Sequence, residues 1–214
     1  MSDLLAKVCG LTRKEDLLYC QKEGVHLTGF IFIPTSPRYV SPALVAGLPL
    51  GGNGRVGVFA GEGLDTVRAV MGEAKLDYVQ LHGDEDPDYC RAMGPDRVIK
   101  TLWPMGLSRL ALEETMAGFA PHVAFFLLDS GSGGGGSGKA QDWSQLYGLT
   151  SPKPWLLAGG LGPGNLEAAL SACHPRGVDL NSGLEDAPGQ KNHLCIENAM
   201  KIVRNTPYKG GLPQ

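Results

Sequence analysis

The sequence has no apolar run approaching the roughly 20 residues that a membrane-spanning helix needs. It has no CxxC pair and no His/Cys spacing suited to zinc, so nothing in it points to a metal centre. Its five cysteines, Cys9, Cys20, Cys90, Cys173 and Cys195, are odd in number and widely scattered. That argues against a disulfide framework and for reduced thiols, most of them packed as small hydrophobes. A strong excess of either charge is missing too: 19 basic and 22 acidic residues leave a net charge of −3. Neither nucleic acid nor an anionic membrane is therefore expected as a partner. The opening residues Met1-Ser2-Asp3 lack the basic segment and apolar core of an export signal, so a cytoplasmic protein is expected. A dinucleotide-binding fingerprint is absent as well. The GxGxxG matches within Ser130–Gly138 (SGSGGGGSG) are trivial in so much glycine, and Trp155–Ala158 occupies the region about 20 residues on where such a fingerprint needs its acidic residue.

What is present is core-forming material and many turns. The 214 residues are 43% hydrophobic and include 31 glycines. Apolar strand-like runs alternate with helix-like segments along the whole chain. The runs are Leu4–Cys9, Thr28–Ile33, Arg55–Ala60, Tyr78–Leu81, Arg97–Leu102, Val123–Leu128, Trp155–Ala158 and Gly177–Leu180. They are continuous in apolar character, as in parallel strands buried on both faces. Thr12-Arg13-Lys14-Glu15 reads as a capping box that opens the first helix, and Gly24 ends it. Ser41-Pro42 reads as an N-cap followed by proline at the first helical position. Eight such units predict a single (βα)8 barrel over residues 1–214, with a doubly wound sheet as the structural alternative. Ser130–Gly138 resembles a flexible linker. The alternation resumes in phase beyond it, however, which favours a mobile loop after strand six that closes over a ligand.

In a barrel of this kind the chemistry sits at the C-terminal tips of the strands. Cys9 ends the first run and is followed at once by Gly10; Asp129 ends the sixth. A thiol and a carboxylate at such tips make a candidate base and acid. The bland alternatives are a buried apolar cysteine and a turn-capping aspartate. Burial is expected to raise both pKa values and to couple the two titrations. Arg38, after strand two, offers a guanidinium fork for a carboxylate. His82 reads as a supporting hydrogen-bonding residue, Asp179 as a side chain facing the barrel mouth, and Glu185 as a charge at a helix N-terminus. Gly159-Gly160 after strand seven and Ser182-Gly183 after strand eight suit backbone N–H groups approaching a phosphate, although such glycines also serve simple turns.

Taken together, the stretches KVCGLT (7–12), GFIF (29–32), SPR (36–38), QLHG (80–83), LLD (127–129), GGSGKAQDW (135–143), LAGGL (157–161) and GVDLNSGLE with PGQK (177–191) resemble the phosphoribosylanthranilate isomerase family of tryptophan biosynthesis. The resemblance implies a (βα)8 barrel that needs neither metal nor organic cofactor. It implies an Amadori rearrangement of N-(5-phosphoribosyl)anthranilate to 1-(2-carboxyphenylamino)-1-deoxyribulose 5-phosphate. Asp129 would then protonate the ribose ring oxygen, and Cys9 would remove the C2 proton. Arg38 would hold the anthranilate carboxylate, and Asp179 would orient near the sugar hydroxyls. Gly159, Gly160, Ser182 and Gly183 would seat the phosphate of this small-molecule phosphosugar. A monomer or a homodimer is expected.

Some positions depart from the family's pattern. His26 stands in place of an aspartate, Ser137 in place of a threonine, Gln141 in place of an aromatic residue and Asn181 in place of a serine, and the Gly133–Gly136 run is longer than usual. A phosphosugar barrel of histidine biosynthesis that performs the same rearrangement is the nearest rival. Its pattern has aspartates at both acid and base positions, so Cys9 speaks against it. A non-catalytic phosphosugar-binding barrel and a two-domain module joined through 130–138 are the rivals of other classes.

Overall fold

The computed structural model describes residues 4–129 and 143–208. Eight parallel strands run in chain order: β1 (Leu5–Val8), β2 (Leu27–Ile31), β3 (Gly54–Phe59), β4 (Tyr78–Leu81), β5 (Val98–Leu102), β6 (Phe125–Asp129), β7 (Trp155–Ala158) and β8 (Gly177–Leu180). Each pairs with the next, and β8 pairs back onto β1 along Leu5↔Gly177 to Val8↔Leu180, so the sheet closes into a barrel. Closure removes the doubly wound alternative. Each expected apolar run contains or overlaps one of these strands.

The helices are α1 (Lys14–Lys22), α2 (Pro42–Ala46), α3 (Leu64–Glu73), α4 (Pro87–Met93), α5 (Arg109–Phe119), α6 (Leu166–Cys173) and α7 (His193–Asn205). The sixth unit carries a one-turn 3-10 helix, Trp143–Leu146, where the others carry an α-helix. A short hairpin, β9 (Glu185–Ala187) with β10 (Gln190–Lys191), lies between β8 and α7. No helix among the described residues is long and apolar enough to cross a membrane.

Local chemistry explains most boundaries. Ser41 accepts a hydrogen bond from the Leu44 N–H at the start of α2, and Asp86 and Ser108 do the same for α4 and α5. Gly24, with φ of +72°, stops the chain after α1. The capping box at Thr12 is not formed. Helix α1 begins at Lys14, behind Arg13, with no side-chain cap. The Thr12 hydroxyl instead donates to the Gly189 carbonyl at 2.6 Å, a tertiary contact that ties the first loop to the hairpin. Glu185 likewise does not open a helix but begins β9.

Period-two alternation splits every strand between two cores. Outward residues such as Ala6, Val8, Phe30, Val79, Phe126, Leu128, Val178 and Leu180 pack under the helices in the main core. Inward residues Leu27, Val56, Ile99, Leu127, Leu156 and Ala158 fill the barrel's interior. Above them Cys9, Ile31 and Val58 form a small separate cluster. The barrel is therefore plugged with side chains below, and its polar inward residues lie towards the C-terminal tips of the strands. The Gly/Ser stretch 130–138 lies outside the described residues.

Candidate active site

Lys7 and Cys9 are two residues apart on one chain direction, so both point inward, and both are buried, at 0% and 4% exposure. The Lys7 ammonium donates to Asp179 Oδ1 at 2.9 Å. The two residues are register partners on the closing β1–β8 seam, so barrel closure itself makes the ion pair. Room for it comes from Gly29 on β2. A Cβ there would lie 2.7 Å from Cys9 Sγ and 3.2 Å from Lys7 Nζ. Burial pushes the Cys9 thiol up from the ordinary value, Lys7 pulls against this, Asp179 adds to it, and Lys191 pulls down again. Burial also works against the Lys7 charge, but Asp179 and Cys9 outweigh it and leave the ammonium more basic than usual.

Arg38, beyond β2, is already engaged. Its Nε donates to both Glu185 oxygens at 2.9 and 3.0 Å, and its Nη2 donates to Oε2 at 2.6 Å. Glu185 also accepts from Lys191 Nζ at 2.7 Å and from the Gly189 N–H at 3.1 Å. Burial disfavours the Glu185 carboxylate, yet the bonds from Arg38 and Lys191 prevail and hold its pKa below the ordinary value. Lys191 reaches Asn181 as well, at 2.9 Å to the side-chain oxygen. Gly10, with φ of +72°, is needed here: a Cβ would sit 2.7 Å from both Arg38 Cδ and Asn181 Oδ1. The β1 loop, Arg38, Asn181 and the hairpin thus form one packed polar cluster beside Cys9.

Asp129 ends β6, in register with Ala158 on β7, and is half-buried. Across the mouth, His82 Nδ1 lies 3.2 Å from the Thr101 hydroxyl and 3.3 Å from Gln80 Nε2, and its ring stands edge-on to Trp103. Burial lowers the His82 pKa against the opposing pull of Asp129 and Asp179. An imidazole anchored through Nδ1 suits the supporting role expected of it.

The glycine pairs meet as backbone. Gly159 and Gly160 have φ of +109° and +59°, conformations that side chains rarely adopt. Ser182–Leu184 forms a 3-10 turn, and a Cβ on Gly183 would overlap the Leu161 carbonyl and lie 3.0 Å from Gly162 N. Asn165 ties its own loop shut, accepting from Gly162 N–H at 2.9 Å and donating to Gly160 O at 3.1 Å. The loops after β7 and β8 are therefore one continuous surface.

All the residues expected to carry function lie at the C-terminal end of the barrel or in the loops that extend it. Two were not singled out, and a third was given another role. Lys7 and Lys191 are fully buried cations, and Glu185 is their network's carboxylate rather than a helix charge. Lys7 was detectable: a lysine inside a buried strand, two residues before Cys9, requires a counter-charge on a neighbouring strand. Lys191 lies within the quoted PGQK stretch, but its partners, Glu185 and Asn181, are set only by the folding of the hairpin.

Against known proteins, the profile of the family described as N-(5'phosphoribosyl)anthranilate (PRA) isomerase matches residues 6–202. An N-(5'-phosphoribosyl)anthranilate isomerase from Desulfovibrio desulfuricans is 50% identical over 201 residues, covering 94% of this chain and 95% of the relative. The crystal structure of phosphoribosyl anthranilate isomerase from Thermotoga maritima superposes with a TM-score of 0.81 at 33% identity, covering 95% of this chain and 100% of that one. A further such structure, in complex with reduced 1-(o-carboxyphenylamino)-1-deoxyribulose 5-phosphate, gives 0.79 at 31% identity, covering 95% and 100% of the two chains.

Proposed function

Because this chain belongs to the N-(5'-phosphoribosyl)anthranilate isomerase family, we propose that Cys9 and Asp129 are the base and the acid of its reaction. The protein is an isomerase of tryptophan biosynthesis that converts N-(5'-phosphoribosyl)anthranilate to 1-(2-carboxyphenylamino)-1-deoxyribulose 5-phosphate. Asp129 gives its proton to the ribose ring oxygen as the C1–O bond breaks, and the anilino nitrogen's electron pair forms the Schiff base. The Cys9 thiolate then takes the proton from C2, and the enolamine formed tautomerises to the ketone. The observation that carries this reading is the pairing of a buried strand-tip thiol on β1 with a strand-tip carboxylate on β6, at one end of one closed barrel.

Arg38 binds the anthranilate carboxylate. Since its Nε/Nη2 edge is taken by Glu185, the carboxylate takes the outer, Nη1-bearing edge, with the fork already oriented. Gly159, Gly160, Ser182 and Gly183 hold the phosphate through backbone N–H groups. Asp179, tied to Lys7, faces the sugar hydroxyls. We place the protein in the cytoplasm, which its five free thiols suit. Every group in this scheme comes from one chain, so a monomer and a homodimer alike carry a complete site.

The test is fluorescence. Purified protein mixed with freshly generated phosphoribosylanthranilate should remove the anthranilate-type signal rapidly. Cys9→Ala and Asp129→Asn should each slow this by about 10²–10⁴-fold, the usual worth of a positioned acid or base. A folded wild-type protein that leaves the signal unchanged would overturn the assignment.

A further inference from the structure

Lys7 is fully buried in the middle of β1, and the division of labour above gives it no task beyond tethering Asp179. Stability alone does not call for it, since a buried ion pair is commonly replaced by apolar residues without loss. Its place relative to the thiol is more telling. Lys7 Nζ and Cys9 Sγ both crowd the position that a side chain of Gly29 would take, at 3.2 and 2.7 Å from where its Cβ would be. We propose that Lys7 is the positioning residue of the base: its ammonium, anchored by Asp179, faces Cys9 and stabilises the thiolate form against the cost of burial.

The charges balance. With Lys7 charged, Asp179 ionised and Cys9 a thiolate, the trio carries one net negative charge. When Sγ accepts the C2 proton the trio becomes neutral, and no proton needs to pass to lysine. The other charges around the thiol do not duplicate this role. Lys191 and Arg38 both act on Cys9, but each is committed to Glu185 by short hydrogen bonds. Asp179 opposes ionisation of the thiol, while His82 and Asp129 follow or end β4 and β6, across the closed barrel from β1. Lys7 is the largest influence drawing the thiol towards ionisation. Gly29 is part of the device, because any side chain there would occupy the space the two groups share.

This inference rests on the reading of Cys9 as base, so its test reads the thiol and not only the rate. Alkylation of Cys9 by iodoacetamide in the full chain, followed by mass spectrometry across a pH series, gives the pH midpoint of thiolate formation. In Lys7→Met the midpoint should rise by about one unit or more, a tenfold loss of thiolate below it. The ratio kcat/KM should fall at least about tenfold at neutral pH and recover in part as pH rises. Lys7→Arg should keep the midpoint near wild type. Asp179→Asn removes the opposing carboxylate and should move the midpoint down, which keeps the test alive if Lys7→Met does not fold. A folded Lys7→Met with an unchanged midpoint, or an Asp179→Asn midpoint that rises, overturns the proposal. Midpoints that shift as expected in a protein whose Cys9→Ala variant remains active would instead overturn the reading of Cys9 as base.

Discussion

At the scale of single residues, the site is a set of charges that satisfy one another before any substrate arrives. Arg38 illustrates the consequence. Its fork is held by Glu185, which in turn is held by Lys191 and Gly189. Arg38→Met removes a charged hydrogen-bonding partner worth about 1.5–3 kcal/mol, so KM for phosphoribosylanthranilate should rise about ten- to hundredfold with a smaller change in kcat. Steady-state kinetics at saturating and limiting substrate separate the two. An unchanged KM would mean that Arg38 only braces the hairpin. Cys9, Asp129 and Arg38 were legible in the sequence because each sits at a strand tip or just beyond one, Cys9 beside Gly10 and Arg38 beside Pro37. Lys191 and the true role of Glu185 were not, because their meaning lies in contacts with Asn181 and Arg38, set by folding of the β9–β10 hairpin.

At the scale of elements, glycine decides which surfaces meet. The strands were readable as apolar runs, and Ser41 was readable as a cap because its partner, the Leu44 N–H, lies three residues away. Thr12 was misread for the opposite reason. Local spacing favoured a capping box, but a tertiary acceptor, the Gly189 carbonyl 177 residues away, took its hydroxyl. Two substitutions test the glycine contacts. In Gly29→Ala the new methyl would be 3.0 Å from the Cys9 backbone as well as 2.7 Å from Sγ. Turnover should drop at least about tenfold, since small misplacement of a reacting group carries large rate penalties, while far-ultraviolet circular dichroism stays native. Gly183→Ala would force the β8 loop off the Leu161 carbonyl. It should therefore weaken competitive inhibition by inorganic phosphate more than it alters the pH dependence of kcat.

At the scale of the molecule, closure through β1 and β8 puts residues from both ends of the chain into one site, which is why Lys7 and Asp179 pair. It also buries thiols that do no chemistry. Burial raises Cys20 and Cys173 from the ordinary 9.0 to about 12, and Cys90 to about 11. Their pKa values are higher folded than unfolded, so above pH 9 the unfolded chain has released protons that the folded chain still holds. Stability should be intact below that pH and fall between about 9 and 12, by about 1.4 kcal/mol per pH unit for each such thiol. Calorimetric melting from pH 8 to 10.5 checks this, and Cys20→Ala should flatten the slope. A melting temperature independent of pH over that range would contradict it.

The division of labour between Cys9 and Asp129 is the central claim, and single-turnover kinetics with substrate deuterated at the sugar C2 tests it most directly. Wild type should process the deuterated substrate more slowly than the protiated one, because Cys9 breaks that C–H bond. Cys9→Ala and Asp129→Asn, folded and still binding a product analogue, should process neither at an appreciable rate. A Cys9→Ala protein that keeps the wild-type rate and the wild-type isotope effect would contradict the account.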